Sequence, residues 1–340
     1  GRVDVMYGSD AIFTQAYGNG VGTLRGDWDL HLIGDQTYNM AIPNAYAEFN
    51  LPVGNGIDVK AGHFYTPIGY EVVTSPDNFL VTKPYTMQYG EPFTHTGAYG
   101  TYAFNQNWSV LAGTVTGSNT GGWDGNFNQH LGTWAFLGGA TWTSDDAGTS
   151  LNASGTVGPT SETNNNTWAL YSLVGKHNLN DKTHLVLQHD HGFAEGLMVA
   201  GKTTEWYGIN SYIFYDINDK LAAGLRAEWF RDQDGARVAM AGRCGAGYNM
   251  TSGGAYYNTA GSTCNALGAA GVAGSGFAPA NSYYALTAGL SYKPAKWLNL
   301  RPNMRLDYAD IPVFGAIDPA TQLGTQKTQF LFSADAVVTF

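Results

Sequence analysis

The feature that most constrains the fold of this chain is an alternation of apolar and polar residues with a period of two. From Phe330 to Phe340, every second residue is apolar and most of the residues between them are polar. Successive side chains of a β-strand point to opposite faces, so this segment predicts a strand with one apolar and one polar face. The same alternation, with varying strength, predicts fourteen strands, at 1–8, 43–51, 56–64, 95–104, 107–116, 133–143, 148–156, 167–177, 182–190, 204–215, 220–230, 282–292, 298–307 and 329–340.

The charged residues of these segments fall on the polar face, and there are few of them. Charged residues make up 13% of the chain, against about 25% in a typical soluble domain. Transmembrane helices are excluded, because mean hydropathy is -0.20 and no stretch approaches the roughly 18 apolar residues that a spanning helix needs. Permanent disorder is excluded by 44% hydrophobic and 14% aromatic residues. Strands with an apolar face toward lipid and a polar face toward water fit this composition.

The connections between the predicted strands are of two kinds. Short turns such as 52–55, 105–107 and 216–220 alternate with long connections rich in Gly, Asn, Thr and Pro, at 9–40, 65–94, 117–132, 157–166, 191–203, 231–281 and 308–328. Outer-membrane barrels have this asymmetry, with short turns at one rim and long loops at the other. A soluble sandwich or a propeller is the alternative, but the apolar faces carry almost no charge and no repeat of about 40 residues recurs.

We therefore predict an all-β protein, a transmembrane antiparallel β-barrel that forms one outer-membrane domain over residues 1–340. The chain opens inside a strand-like segment, and we expect its natural N-terminus upstream of Gly1. The barrel has 14 strands in this chain, and 16 if two strands precede Gly1. A barrel of about this width cannot fill its interior with side chains, so it encloses an aqueous channel.

Other classes of function find little support in the sequence. A net charge of -10 argues against nucleic acid as a partner. The chain has no HExxH, GxSxG or P-loop motif, so we predict no enzyme activity and no cofactor. Cys244 and Cys264 lack zinc-site spacing, and both a loop disulfide and two free thiols remain open. In His189-Asp190-His191 only the two histidines share a strand face, and no metal site is predicted there.

Three segments resemble a known family. They read Ala-Tyr-Ala-Glu at 45–48, Val-Lys-Ala-Gly-His-Phe-Tyr-Thr-Pro-Ile-Gly-Tyr-Glu at 59–71 and Tyr-Thr-Met-Gln-Tyr-Gly-Glu-Pro-Phe-Thr-His-Thr-Gly at 85–97. They are similar to the β-barrel porin family related to OprB- and OmpL-type outer-membrane porins, most densely over 1–124. The resemblance implies a 16-stranded homotrimeric channel in the bacterial outer membrane, with one or two strands upstream of the segment that opens this chain.

Loop 65–94 is the candidate constriction loop, because it combines Pro and Gly with charged residues. A loop folded into a porin lumen narrows the pore, and its charges set the field felt by a passing solute. The predicted constriction charges are Glu71, Asp77, Lys83 and Glu91. The alternative is an outward loop in which Pro and Gly shape turns and the charges are solvated.

The polar strand faces are predicted to line the lumen, because Arg or Lys on the lipid face costs about 2–4 kcal/mol at the bilayer midplane. The predicted lining residues are Arg2, Asp4, Glu48, Asp58, Lys60, Arg226, Glu228, Arg301, Arg305, Asp307 and Asp335. Five bases and six acids leave this set nearly balanced, so it predicts no firm ion preference.

The first hypothesis for function is a porin through which small hydrophilic solutes or ions diffuse passively, surrounded by outer-membrane lipid. The second is a structural or surface-interaction barrel with a plugged lumen, in which the long loop 231–281 contacts another macromolecule. The third is an outer-membrane enzyme that acts on lipid. Conductance in planar bilayers separates the first hypothesis from the other two.

Overall fold

The computed structural model describes residues 1–14, 39–116, 134–159, 166–195, 202–235, 237–238, 280–317 and 324–340. Cys244, Cys264 and most of loops 9–40 and 231–281 lie outside the described residues. No helix among the described residues is long and apolar enough to cross a membrane.

The regular secondary structure of the described residues is almost entirely β-strand. Its strands are β1 (Arg2–Gly8), β2 (Asn39–Leu51), β3 (Ile57–Tyr65), β4 (Thr94–Ala103), β5 (Trp108–Thr116), β6 (Trp134–Thr143), β7 (Thr149–Pro159), β8 (Thr167–Asn180), β9 (Thr183–Glu195), β10 (Thr203–Asn218), β11 (Leu221–Asp232), β12 (Asn281–Ala295), β13 (Leu298–Ala309), β14 (Phe314–Ile317), β15 (Gly324–Gln326) and β16 (Thr328–Val338). Three single helical turns accompany them, at Ser9–Phe13, Ser75–Asp77 and Thr86–Gly90.

Fourteen of these strands form one antiparallel sheet in sequence order, from β1 through β13 to β16. Every neighbouring pair is antiparallel, as expected for strands that follow one another along the chain. The predicted all-β antiparallel barrel with 14 strands in this chain is therefore confirmed. Among the described residues, the hydrogen-bonded ladder runs from β1 to β16, and no pairing joins these two end strands directly.

The register gives the sheet an apolar outer face. Opposite each other on neighbouring strands lie Leu225 and Ala288, Leu286 and Leu306, and Met304 and Phe332. Leu286, Met304 and Leu306 are about half exposed in the protein alone, whereas the arginines on the other face of β11 and β13 are buried. A soluble protein has the reverse arrangement, so this inversion identifies the outer face as the one in contact with lipid.

The structure differs from the sequence prediction in the connection 308–328. This segment contains the short hairpin β14–β15, which the alternation did not predict. The two strands have four and three residues, too few for a period of two to stand out from chance. Several of the long strands also extend past their predicted ends; β10, for example, covers Thr203–Asn218 instead of 204–215.

The sheet curls around the connection between β3 and β4, residues 66–93, which we call the inner loop. Its segment at Ser75 and Asn78 is hydrogen-bonded to Arg301 on β13. The adjacent residues Thr74–Pro76 border a cavity of about 750 Å³ with Val3–Asp10 of the first strand and its following turn. One short segment therefore meets residues from opposite ends of the fourteen-stranded sheet, which requires the sheet to curve around it.

Candidate functional site

The inner loop lies against the polar inner face of the sheet. Strands β8–β13 supply most of the wall on which it rests, and the contact is dry: Ile68 and Leu80 of the loop are at most 2% exposed, as are Trp206 and Phe230 of the wall. Gly224 of β11 allows the close approach, because a Cβ atom there would lie 2.5 Å from the Phe79 ring of the loop.

Arg226 of β11 is the first of three arginines that hold the loop. Its Nη1 donates to Glu71 Oε1 at 2.6 Å and to the Thr82 carbonyl oxygen at 2.7 Å. Its Nη2 lies 3.3 Å from Oε1 of Glu228, two residues along the same strand. The guanidinium presents a rigid fork of donors, so one side chain fixes two points of the loop and remains paired with carboxylates.

Arg305 of β13 holds the next part of the loop. Its Nη1 donates to the Lys83 carbonyl oxygen at 2.8 Å and lies 3.0 Å from Glu228 Oε1, while its Nε donates to Asp307 Oδ1 at 2.7 Å. Glu228 in turn accepts a hydrogen bond from the Tyr85 backbone N–H at 2.7 Å. Glu228 therefore joins both arginines to the loop backbone.

Arg301 of β13 holds the segment nearest β1. Its Nη1 donates to the Ser75 carbonyl oxygen at 2.8 Å and to the Asn78 carbonyl oxygen at 2.5 Å. Its Nε donates to Asp335 Oδ1 on the neighbouring β16 at 2.8 Å. The three arginines thus act as anchors to loop carbonyl groups, a role that their strand positions alone did not predict.

The four predicted constriction charges occupy two different environments. Glu71, Lys83 and Glu91 are at most 6% exposed and lie between the inner loop and the wall, whereas Asp77 is exposed. Lys83 Nζ donates to the Val72 carbonyl oxygen at 2.7 Å, and burial lowers the pKa of Lys83 to about 8. The expectation that all four charges face a passing solute needs correction, because Glu71, Lys83 and Glu91 are covered by protein.

The predicted lumen-lining residues divide in the same way. Five of them are at most 6% exposed, because the inner loop covers them: Arg226, Glu228, Arg301, Arg305 and Asp307. Asp335 keeps 29% of its side chain exposed even while it pairs with Arg301. The expectation of a direct lining role is corrected for these five: four of them contact the loop, and Asp307 pairs with Arg305 beside it.

The remaining predicted residues lie on β1–β3, away from the inner loop's anchors, and retain access to solvent. Arg2 and Asp4 form an ion pair at 2.7 Å with side chains 58% and 28% exposed, and Lys60 pairs with Glu48 at 3.0 Å. Lys60 Nζ also lies 4.3 Å from the centre of the Tyr46 ring. Asp58 accepts a hydrogen bond from Asn50 Nδ2 at 2.8 Å.

The end of the inner loop meets β9 and β10. Gln188 Nε2 donates to Glu91 Oε1 at 2.6 Å, and the Trp206 indole N–H donates to the Gly90 carbonyl oxygen at 3.1 Å. Thr86 donates to Asn210 Oδ1 at 2.9 Å. Sequence reasoning missed these wall residues because they are uncharged, although all of them occupy the inward positions of their strands.

The His189-Asp190-His191 segment is split by the strand. Asp190 is buried on the inner face, while the two histidines share the outer face, where His191 packs edge-on against Tyr171 and Tyr207. Among the described residues, no group of three or more His, Cys, Asp or Glu is placed to hold a metal ion.

Gly69 shapes the loop at the point where Glu91 turns toward the wall. Its φ of +90° lies in the region that residues with a side chain rarely adopt, and a Cβ atom would lie 2.0 Å from Glu91 Oε2. This position therefore requires glycine for both its backbone conformation and its space.

Comparisons with known proteins agree with this architecture. The family model described as "Putative beta-barrel porin-2, OmpL-like" matches residues 1–340. No curated protein matches the chain.

Solved structures with some likeness include the outer membrane channel DcaP of Acinetobacter baumannii, at 10% identity and a TM-score of 0.47, with 98% of this chain and 97% of that chain covered. A loop L8 deletion mutant of OmpT, an outer membrane protein of Vibrio cholerae, has 13% identity and a TM-score of 0.48, with coverages of 88% and 80%. OccK2 (OpdF) of Pseudomonas aeruginosa, in complex with glucuronate, has 13% identity and a TM-score of 0.41, with coverages of 89% and 83%.

The assignment rests on the family model, which spans the whole chain, together with the apolar outer face and the fourteen-stranded sheet. The chain therefore belongs to the OmpL-like β-barrel porin family and is a protein of the bacterial outer membrane.

Proposed function

We propose that the protein is a porin through which small hydrophilic solutes diffuse passively across the outer membrane. Membership of a porin family supports a channel role. The asymmetric position of the inner loop supports passive diffusion through an open passage. Its anchors, Arg226, Arg301 and Arg305, are all on β11 and β13, whereas Arg2, Glu48 and Lys60 on β1–β3 retain solvent exposure.

The proposed passage runs between the inner loop and the inner faces of β1–β3. A solute there meets the paired charges Arg2–Asp4 and Lys60–Glu48, and the acids Asp58 and Asp77, among the residues predicted to line the pore. No residue performs a chemical step, because water and solute move down their gradients. The passage selects by size and by the local field of these charges.

The proposed passage has a weak preference for cations. Among the predicted pore residues that keep exposure on β1–β3 and the inner loop, acids outnumber bases, whereas the arginines of β11 and β13 are buried beside Glu71, Glu228 and Asp307. Buried and paired charges contribute little to the field in the passage, because opposite neighbours cancel them at short range. The homotrimeric state implied by the porin resemblance stays a prediction, and cross-linking in outer-membrane vesicles would measure it.

Liposome swelling and reversal potentials test this function together. Purified protein should make liposomes permeable to small sugars. In a planar bilayer with a salt gradient, the sign of the reversal potential should indicate selectivity for cations. Asp58→Asn should reduce that potential, while Asp146→Asn, at the tip of an exposed turn, should leave it unchanged. Impermeable liposomes would contradict the porin proposal, and an anion-selective potential would contradict the assignment of the passage.

A further inference from the structure

The end of the inner loop is fastened to the wall by two acids that have no basic partner in the contacts described. Gln188 Nε2 donates to Glu91 Oε1 at 2.6 Å, and both Asp190 carboxyl oxygens lie 3.0 Å from the same nitrogen. The Glu91 and Asp190 carboxyl groups therefore converge on a single amide nitrogen. Each residue is 1% exposed. Two carboxyl groups that share a buried site without a cation do not both ionise near neutral pH, so one of them carries a proton.

The charged and titratable groups described around this pair do not supply a cation that would let both carboxyl groups ionise. From the loop, Glu71 adds a further negative charge, but it is bound to Arg226 of β11, which also pairs with Glu228. From β9, His189 lies on the outer face and hydrogen-bonds to the Gly208 carbonyl oxygen.

Further groups near the end of the inner loop are the buried phenol of Tyr212, one arginine and uncharged side chains. Arg237 donates to the Tyr89 carbonyl oxygen at 2.6 Å and lies 4.8 Å from the Trp206 ring. β8 contributes the hydroxyl of Ser172, and β10 contributes the indole N–H that binds the Gly90 carbonyl oxygen. Burial, followed by the Asp190 carboxyl, raises the pKa of Glu91 well above its usual range.

We propose that Glu91 and Asp190 form a proton-dependent latch, which holds the end of the inner loop on the wall and releases it when the shared proton is lost at alkaline pH. The pair thereby makes the width of the passage depend on pH. The electrical readout of this inference rests on the proposed porin function, but the latch itself does not.

The sign of the effect follows from proton linkage. With the loop docked, the pair retains a proton at neutral pH, whereas a solvated Glu91 would have lost it. Docking therefore takes up a proton, and the ratio of docked to undocked loop falls by up to about tenfold for each pH unit until the docked pair itself ionises. Two ionised carboxylates in a dry contact then repel each other.

Infrared difference spectroscopy tests the latch without reference to transport. At neutral pH, the wild-type protein should show the carbonyl stretch of a protonated, buried carboxyl group, which should disappear on titration to about pH 10. Glu91→Gln and Asp190→Asn should each lack this band, and Asp181→Asn, on an exposed turn, should retain it. A wild-type spectrum without the band at neutral pH, or an unchanged band in both latch variants, would overturn the proposal.

Single-channel recording tests the consequence for the pore. Wild-type current should be steady near neutral pH and should show transitions that become up to about a hundredfold more frequent two pH units higher. Glu91→Gln keeps a donor for the Asp190 carboxylate without a titrating proton, so its current should stay steady over this range. Asp190→Asn changes the partner on β9 and provides the same test if Glu91→Gln fails to fold. An identical pH response in wild type and both variants would overturn the latch, whereas wild type without channels at any pH would contradict only the porin function.

Discussion

Arg226 should be the most sensitive single position for attachment of the inner loop. It is fully buried and contacts Glu71, Thr82 and Glu228. Arg226→Met removes the cation and leaves two carboxylates in a dry contact. Removing one partner of a buried ion pair costs about 3–5 kcal/mol, and we expect a loss of this size in the free energy of unfolding. Urea titration of the protein in lipid vesicles, followed by tryptophan fluorescence, measures it.

Two further variants make this experiment specific. Glu71→Gln combined with Arg226→Met removes one stranded carboxylate and should recover about half of the loss, since Glu228 keeps its contact with Arg305. Arg231→Met is the matched control on the same strand, because its side chain lies on the outer face and contacts only Gln233 and Ser282 among the hydrogen bonds described. It should cost less than about 1 kcal/mol. Equal losses in Arg226→Met and Arg231→Met would refute the anchoring role.

Three other perturbations test separate parts of the structure. Leu225→Arg places a charge on the lipid face and should destabilise the folded barrel by about 2–4 kcal/mol in vesicle urea titrations, if the residue lies near the bilayer midplane. Gly69→Ala introduces a side chain at φ +90° and should cost about 1–3 kcal/mol, with faster proteolysis of the inner loop as a second readout. Burial lowers the pKa of Lys83 to about 8, so above that pH the unfolded chain binds more protons than the folded one. Stability relative to Lys83→Met should therefore rise from about pH 8 to pH 10, and a constant difference between the two proteins over this range would contradict that assignment.

The sequence was sufficient to predict the strands and their faces, because a strand's period of two is a local property. The register of β11 and β13 puts Arg226 and Arg305 on the inner face, as their spacing from the apolar residues indicates. The odd or even position of a residue along a strand predicts which face its side chain occupies, but it does not predict what covers that face. The covering loop brings together residues far apart in the chain, such as Tyr85 and Glu228.

The composition of the inner loop was not sufficient to predict its role. Its Pro, Gly and charged residues indicate an inward-folded loop, yet the same composition fits both a constriction and an anchor. The structure separates the two by burial: Glu71 and Glu91 pack against the wall and Asp77 stays exposed. The uncharged wall residues that complete the contact, Gln188 and Asn210, were recognisable only as inward positions of their strands.

Unitary conductance in planar bilayers tests the central claim most directly. If an aqueous passage runs beside the anchored inner loop, purified protein should insert and give discrete, ohmic current steps that small polymers reduce and large polymers do not. A membrane that contains folded, inserted protein but shows no steps at any voltage would contradict an open passage and would favour a barrel with a closed lumen.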